Sequence, residues 1–454
     1  MSRVQPQHAS ISSDENKETT MSKSVLHILS PVLTFMRICG ACTGPNVTVE
    51  NIACSDYRFR LRHKENWFQI LYCVFGNSCI WIFTGILAYK LVFFEPMSRE
   101  WIIAFQFLAI NIIASIAYTW SSVNFRDGSY QSWVKDFYLY EQRDGVHENM
   151  KHMVKKSRIL VVLGMFFGIC IPGFMSAYAL AIREVGEIVC VVDGALSWWN
   201  YLIPVINYFM LWTSLSSSVI RLVIGSYCLC SELDVINTIM ERCVLQCIKR
   251  QESQRIQSQT APDCHSERNE ELKDIIGRHK LICSLISRFG SFIAFHMCIG
   301  LFMSLPLSCF SLYVIMTRME SQSNVAVCIF ILFACGIGCI PLSIIGVTVN
   351  LKAHTALQYM LKIPTDDLNE STMRAVNQFT SLLIGTTIGY NVYGLFTISP
   401  PTLLSIVGTL VTYVVVVVQF RQPDSQTSLS TLCQDLLANV TILLEDIRNG
   451  SSGS

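Results

Sequence analysis

Charged residues are scarce in this chain, and their scarcity is uneven. Only 15% of the 454 residues are Asp, Glu, Lys or Arg, whereas a typical soluble domain has about 25%. Seven windows of 18 or more mostly apolar residues contain no Asp or Glu. About 20 such residues cross a bilayer as a helix. The sequence therefore predicts an all-α membrane protein with seven transmembrane helices, rather than a soluble domain.

Motifs of catalysis and cofactor binding are also missing. The chain has no phosphate-binding loop, no HExxH motif and no pair of intramembrane acids. We therefore predict no enzyme activity, no cofactor and no metal site, and we disfavour a proton-coupled transporter, which would need such acids. Most of the 19 cysteines lie in apolar windows, where they serve as small apolar residues. Cys39 and Cys42 form an isolated CxxC, which is weak evidence for zinc.

The seven windows divide the chain into spans and connecting segments. In chain order the predicted spans are 68–89, 101–118, 159–182, 201–228, 289–316, 325–349 and 401–420. One further apolar stretch, 379–398, contains Asn391, four threonines and three glycines. It is too polar and broken for a span, so we expect it to pack at the cytosolic side or to re-enter the membrane.

The distribution of Lys and Arg orients these spans, because cytosolic loops are enriched in both. The segments on the N-terminal side of the membrane carry 27 of them and those on the opposite side carry 6, with Arg221 left inside the fourth span. The N-terminus is therefore predicted to be cytosolic and the C-terminus extracellular, the reverse of a G-protein-coupled receptor. Arg221 is expected to reach lipid phosphates. Of the glycosylation sequons, Asn439 falls outside, whereas Asn46 and Asn369 fall inside.

The segment between the fourth and fifth spans has helical periodicity at both ends. Leu233, Ile236, Ile239 and Met240 recur at a spacing of three to four residues. A solvated loop with two short helices would fit this pattern. We prefer a continuation of both spans into the cytosol, as a bundle able to bind other subunits.

The last span carries a stripe of hydroxyl groups that ends in an apolar constriction. Hydroxyls can hydrate ions, and an apolar ring can close a pore by dewetting, so this pattern suits a pore-lining helix. Serine and threonine could equally bond back to their own helix and face a packed neighbour. The residues of the stripe are Ser405, Thr409, Thr412, Val416, Gln419 and Phe420.

The end of this span resembles the last helix of the invertebrate gustatory receptors. The run from Thr412 to Phe420 reads TYVVVVVQF and matches their TYhhhhhQF signature, where h is apolar. The preceding run from Tyr393 to Ser399 also resembles the entrance to their last helix. The resemblance covers about 30 residues strongly and the rest of the chain by topology. One departure is the tail of some 30 residues beyond Phe420, where many family members stop within a few.

The resemblance implies a homotetrameric, ligand-gated, non-selective cation channel in the plasma membrane of sensory cells. Each subunit would contribute its last helix to a central pore, with the gate at Val416, Gln419 and Phe420. The implied organisation is a disordered N-terminus (1–24), a cytosolic helical segment (25–66), a stimulus-sensing bundle (67–349), a cytosolic anchor and entrance (350–399), the pore helix (400–421), an extracellular tail (422–449) and an artificial linker (450–454). Because the family includes members that sense light or hydrogen peroxide, a photoreceptor or peroxide sensor of the same fold is an alternative function. A seven-helix receptor that signals without its own pore is another alternative.

Candidate stimulus-binding residues follow from the family's pocket, which lies in the outer half of the membrane among the first six spans. Aromatic groups with polar handles suit small molecules. For Trp198 and Trp199 an interfacial aromatic belt explains the positions equally well. Cys190 and Cys433 would both face an oxidising space and could form a disulfide. The candidate residues are Gln106, Tyr178, Trp198, Trp199, Tyr201, Asn207, Tyr208 and, for light or peroxide, Trp81.

Overall fold

The structure is a computed structural model that describes residues 25–38, 67–96, 98–126, 129–144, 155–166, 170, 199–256, 263–317, 322–364 and 368–420. These residues are almost entirely helical. The helices are α1 (Val25–Ile38), α2 (Trp67–Phe93), α3 (Arg99–Arg126), α4 (Ser129–Asp144), α5 (155–166), α6 (Trp199–Ile256), α7 (Asp263–Thr317), α8 (Gln322–Met360), α9 (Glu370–Gly385) and α10 (Pro400–Phe420). Two short strands, β1 (Asn391–Val392) and β2 (Phe396–Thr397), stand between α9 and α10.

Three long helices organise the molecule. Helix α6 has 58 residues, α7 has 55 and α8 has 39, and at 1.5 Å per residue the first two are over about 80 Å long. A bilayer core takes only about 30 Å of helix. Both α6 and α7 therefore run far beyond the fourth and fifth predicted spans as unbroken helices, rather than giving way to a loop with two short helices.

The extended parts of these helices enclose the larger apolar core. Leu229, Leu233, Ile282, Ile286 and Phe289 are each completely buried there. The helical spacing of these residues within α6 and within α7 puts them on the faces that meet. Among the ion pairs on the outside of this core, Lys352 pairs with Asp234 across α8 and α6. The core is thus a helical bundle with charged residues on its surface.

Two N-terminal helices close one side of this core. Helix α1 buries Ile28, Leu29, Val32 and Phe35, and the carbonyl of Ile28 accepts a hydrogen bond of 2.6 Å from Ser157 of α5. Four of the five aromatic residues of α4 recur at spacings of three and four, which places them on one helical face. All four are buried: Tyr130, Trp133, Phe137 and Tyr140.

The stretch 379–398 is divided between a helix and a hairpin and forms no continuous span. Helix α9 begins at an N-cap, Asn369, whose side chain accepts a hydrogen bond from the backbone N–H of Thr372 at 2.8 Å. This cap uses the sequon asparagine that the predicted orientation leaves unglycosylated. The hairpin strands are antiparallel, with Asn391 opposite Thr397. Both α9 and β1 pack against α7.

Several helices are long and apolar enough to cross a membrane. Among the described residues these are Ile70–Phe93, Trp101–Val123, Asn269–Met316 and Cys339–Met360, with Pro400–Val416 as a shorter apolar helix. They overlap the first, second, fifth, sixth and seventh predicted spans. The fourth predicted span lies in α6 and is not among these helices, and most of the third lies outside the described residues. The count of seven therefore stays a prediction.

Candidate functional site

Helix α10 carries the predicted hydroxyl stripe on an uncovered face. Successive helical residues turn by about 100°, which brings Ser405, Thr409, Thr412, Val416 and Gln419 onto one side. All five are exposed, whereas Val418 on the other side is buried, with 7% exposure. Phe420 is the last residue of the helix, and its side chain lies outside the described part of the structure.

The threonine hydroxyls of this stripe bond back to their own helix, and their oxygens can still accept a bond from water or coordinate a cation. Thr409 donates to the carbonyl of Ser405 and Thr412 to that of Gly408, both at 2.8 Å. A hydroxyl whose proton is engaged in this way presents its remaining oxygen lone pairs outward. Lone pairs on an exposed helix face can coordinate a cation. A pore-lining role for the stripe is therefore compatible with hydroxyls that bond back to their own helix.

The entrance of α10 is fixed by a small network of hydroxyls. Leu403 N donates to the carbonyl of Ser399 at 3.0 Å, which forms the first helical bond. The hydroxyl of Thr402 donates to the carbonyl of Thr397 at 2.8 Å and also lies 3.0 Å from the Ser399 hydroxyl. Proline at the first position suits this start, because its missing N–H has no partner inside the helix anyway.

The hairpin joins α10 to the three long helices, and we call this region the hairpin junction (residues 386–398 with their contacts on α6, α7 and α8). Tyr390 is completely buried and its hydroxyl lies 2.6 Å from that of Ser226 on α6. Its ring meets Phe289 of α7, with centroids 5.9 Å apart. The tip turns through Tyr393 and Gly394, at φ angles of 52° and 75°. Glycine adopts this left-handed conformation without strain.

A buried ladder of polar side chains joins α2, α3 and α6 inside the apolar spans. Asn207 of α6 donates to the side-chain oxygen of Asn111 at 2.9 Å, and Asn111 donates to its own helix at Phe107. One turn further along α3, Ser115 lies 3.0 Å from Thr84 of α2. The remaining side-chain oxygen of Asn207 is buried and accepts no hydrogen bond. We call these residues, with Thr119, Asn77 and Trp81 at the end of the same stripe, the polar ladder.

Aromatic residues surround the end of this ladder formed by Asn111 and Asn207. Tyr208 is almost completely buried, and its ring contacts Phe83 and Phe107 at centroid distances of 5.8 and 6.0 Å. One turn further along α6, Trp212 meets Phe330 of α8 at 5.8 Å. These rings belong to a second apolar core, separate from that of the extended helices. The second core has contributions from α2, α3, α6, α7 and α8.

Gln106 lies on α3, five residues before Asn111, and links two other helices. It is completely buried, and its amide donates to Ser311 of α7 at 3.3 Å and to the sulfur of Cys328 on α8 at 3.4 Å. At 1.5 Å of rise per residue, Gln106 and Asn111 lie about 7.5 Å apart along α3.

A family model described as 7tm chemosensory receptor matches residues 29–423. The chain belongs to this family. The match covers both apolar cores, the hairpin junction and α10, so it is not confined to the signature at the end of the chain. No curated protein matches the sequence significantly.

Solved structures of an insect olfactory receptor have the same fold as this chemosensory receptor. The structure of OR5 from Machilis hrabei in complex with eugenol is 15% identical, with a TM-score of 0.57, and covers 86% of this chain and 97% of its own. A second structure of OR5 from Machilis hrabei gives 13% identity and a TM-score of 0.58 over the same shares of the two chains. The predicted superfamily is therefore confirmed, and the receptor is a multi-pass membrane protein.

The structure brings together some of the predicted stimulus-binding residues of the receptor. Asn207 and Tyr208 of α6 lie together beside Asn111 of α3. Gln106 is also on α3, five residues before Asn111. Trp81 is 42% exposed and donates to Thr119 at 3.1 Å, so it lies at the edge of the polar ladder. The side chains of Trp199 and Tyr201 lie outside the described part of the structure, as do the residues Tyr178, Trp198, Cys190, Cys433 and Asn439.

The sequence reasoning overlooked Asn111 and misplaced Arg221. A signal for Asn111 was available, because Asn111, Ser115 and Thr119 recur every four residues inside an apolar span. Arg221 is 1% exposed, so it does not reach lipid phosphates as expected. It donates to Ser121 at 3.4 Å, and its guanidinium lies 4.8 Å from the centre of the Phe292 ring. Neighbouring helices surround the charge and shield it from lipid.

Proposed function

We propose that this chemosensory receptor is a ligand-gated, non-selective cation channel whose pore is formed by α10 of four subunits. One observation carries the proposal: an apolar 21-residue helix leaves a stripe of hydroxyls, ending at Val416 and Gln419, uncovered in the single chain. Exposed hydroxyls are unfavourable against lipid and useful against water and ions. Four copies arranged with this stripe inward would satisfy both requirements.

The polar ladder and its aromatic neighbours form the proposed stimulus site. Small-molecule sites are mostly apolar with a few polar groups that fix orientation, and the region around Gln106, Asn207 and Tyr208 has this composition. The related olfactory receptor was solved in complex with eugenol. A neutral, partly aromatic molecule is therefore the kind of ligand we propose for this chain. We place the receptor in the plasma membrane of sensory cells.

Recording from cells that express the receptor tests the proposal. The stimulus panel contains eugenol, a set of tastants, hydrogen peroxide and blue or ultraviolet light, since light or peroxide sensing would use the same fold. A cation current evoked by any of them supports the channel. Surface-expressed receptor that gives no current under the whole panel, while another signalling output responds, would show a receptor without its own pore.

The gate is tested by a matched pair of substitutions in α10. Val416→Ala removes apolar bulk from the proposed constriction, so we expect a larger basal current. Val407→Ala makes the same chemical change on the opposite side of the helix, where Val407 is also exposed, at 46%. It should leave the basal current unchanged. Equal effects of the two substitutions at equal surface expression would place the pore elsewhere.

A further inference from the structure

Two histidines hold the segment that leads into the hairpin junction. His354 of α8 accepts a hydrogen bond from the backbone N–H of Ile388 at 3.2 Å, and it also bonds the backbone of Leu383. Leu383 lies in the last turn of α9 and Ile388 comes just before β1. One imidazole therefore ties both ends of the connection between α9 and the hairpin to α8.

The second histidine ties α7 to α8 beside this contact. His279 of α7 is completely buried and its Nε2 lies 3.2 Å from the carbonyl oxygen of Ala353, the residue before His354. Its Nδ1 lies 3.3 Å from the thiol of Cys283, and its ring meets Phe379 of α9 edge-on at 5.0 Å. The two rings thus connect α7, α8 and α9 at one level of the bundle.

Both histidines are neutral in this arrangement, because each ring uses one nitrogen as donor and the other as acceptor. His354 Nε2 accepts from Ile388, so a proton there would face the Ile388 N–H and break the bond. His279 Nε2 donates to Ala353, so the proton of an imidazolium would have to enter at Nδ1, against the Cys283 thiol. Protonation of either ring therefore conflicts with a contact that the structure makes.

The charged groups around the pair do not favour protonation. His354 acts electrostatically on His279, and Lys280 and Lys352 lie within two residues of the pair along α7 and α8. Among the described acids on the helices that meet here, Asp234 of α6 is paired with Lys352, Asp274 of α7 is paired with Arg278, and Glu370 of α9 is paired with Arg374. Burial and the neighbouring His354 lower the pKa of His279 to about 4, and burial also lowers the pKa of His354.

We propose that His279 and His354 form an acid-sensitive latch, which holds α9 and the hairpin junction against α7 and α8 and is released when the two rings take up protons. Which side of the membrane supplies the protons rests on the proposed function and its orientation. With these parts of the helices in the cytosol, the latch would respond to cytosolic acid. Because the segment that it holds leads directly into α10, release would change the position or mobility of the proposed pore helix.

The size of the effect follows from linkage. A histidine in the released state has an ordinary pKa of about 6.5, whereas that of latched His279 is about 4. The released state therefore binds more protons between these two values, and acid favours it. From His279 alone, release increases about 4-fold between pH 7.4 and 6.0 and about 9-fold between pH 7.4 and 5.5.

Hydrogen exchange of the full chain in nanodiscs tests the latch without any channel assay. Protection factors, which correct for the intrinsic pH dependence of exchange, are measured for a peptide that contains Ile388 at pH 7.4, 6.0 and 5.5. We expect protection there to fall by at least the factors above, while a peptide around Leu229 in the core keeps its protection. Unchanged protection at Ile388 would overturn the proposal.

Variants separate the latch from general acid sensitivity. In His279→Gln and His354→Asn the side chains remain hydrogen-bonding but do not titrate, so each should reduce the pH dependence of protection. His296→Gln removes a buried histidine elsewhere on α7 and should retain it. If H296Q abolishes the response and H279Q and H354N do not, the assignment is wrong. Basal current in inside-out patches at the same pH values then tests coupling to the pore, and a failure of the channel proposal leaves the exchange result standing.

Discussion

The hairpin junction and the polar ladder both bury polar side chains among helices, but they use them differently. At the junction, Asn350 donates to the carbonyl of Ile388 at 2.8 Å and His354 accepts from its N–H. These side chains satisfy backbone groups of a non-helical segment. In the ladder, Asn111 and Ser115 donate to carbonyls of their own helix, and the bonds between helices join side chain to side chain.

This difference has a consequence for function. A buried backbone group without a partner is costly, so at neutral pH the junction keeps its side-chain bonds. The acid release proposed above has to expose or re-pair the backbone groups that it frees. The helices around the ladder satisfy their own backbones, so the bonds between them can be exchanged at small cost. A ligand can replace such a bond, whereas a rigid junction can transmit the resulting movement to α10.

The largest effect should come from removal of the side chain at the centre of the junction. Tyr390→Ala deletes a completely buried ring that packs on Phe289. Substitution of a buried aromatic residue by alanine costs about 3–5 kcal/mol, which would lower thermal stability in detergent and surface expression strongly. Tyr393→Ala three residues later removes a ring that is 54% exposed. It should change the stability of the single chain by under about 0.5 kcal/mol.

Equal effects of these two tyrosine substitutions would mean that the junction is not a rigid element. A loss of assembly in Tyr393→Ala, with normal stability of the subunit, would have a different meaning. It would show that the exposed tip contacts another subunit in the proposed tetramer.

A smaller effect is expected where α8 approaches the end of the hairpin. A Cβ at Gly346 would lie 2.5 and 2.9 Å from side-chain atoms of Ile398. Gly346→Ala should therefore cost about 1–3 kcal/mol through overpacking, measured as a fall in melting temperature. Gly85→Ala is the matched control, since nothing lies within 4 Å of its Cβ position. A neutral Gly346→Ala would show that the hairpin can move away from α8.

The fold could be predicted from the sequence where apolar length decides the structure. The last helix was expected from 401 to 420 and is observed from Pro400 to Phe420. Helix α4 was not expected, although Tyr130, Trp133 and Phe137 have helical spacing, because its mean hydropathy is too low for a span. The hairpin could not be foreseen, since two-residue strands depend on contacts with α7 and α8 that are remote in sequence.

The same limit applies to the candidate site. Asn207 and Tyr208 were identified because polar groups inside an apolar window are conspicuous. Asn350, His279 and His354 lie outside the predicted spans, where polar residues are common, and only the tertiary structure shows that they bond to the hairpin connection and to α8. The hydroxyl stripe of α10 was predicted from its periodicity. Its exposure in the single chain could not be predicted in this way, because exposure depends on which helices pack against α10.

The sharpest test of the comparison comes from two asparagines. Asn350→Leu leaves the buried carbonyl of Ile388 without this donor and should cost about 1–3 kcal/mol. Asn207→Leu leaves the buried side-chain oxygen of Asn111 without this donor, but it also removes the buried oxygen of Asn207 that accepts no bond and adds apolar burial. These effects oppose each other, so stability should change by less than about 1 kcal/mol. The dose–response curve to whichever stimulus evokes a current should nevertheless shift for Asn207→Leu. It should stay in place for cells that express Asn350→Leu at matched surface levels. The opposite result would assign the flexible, exchangeable contacts to the hairpin junction, and stimulus binding would then have to be sought beside α9.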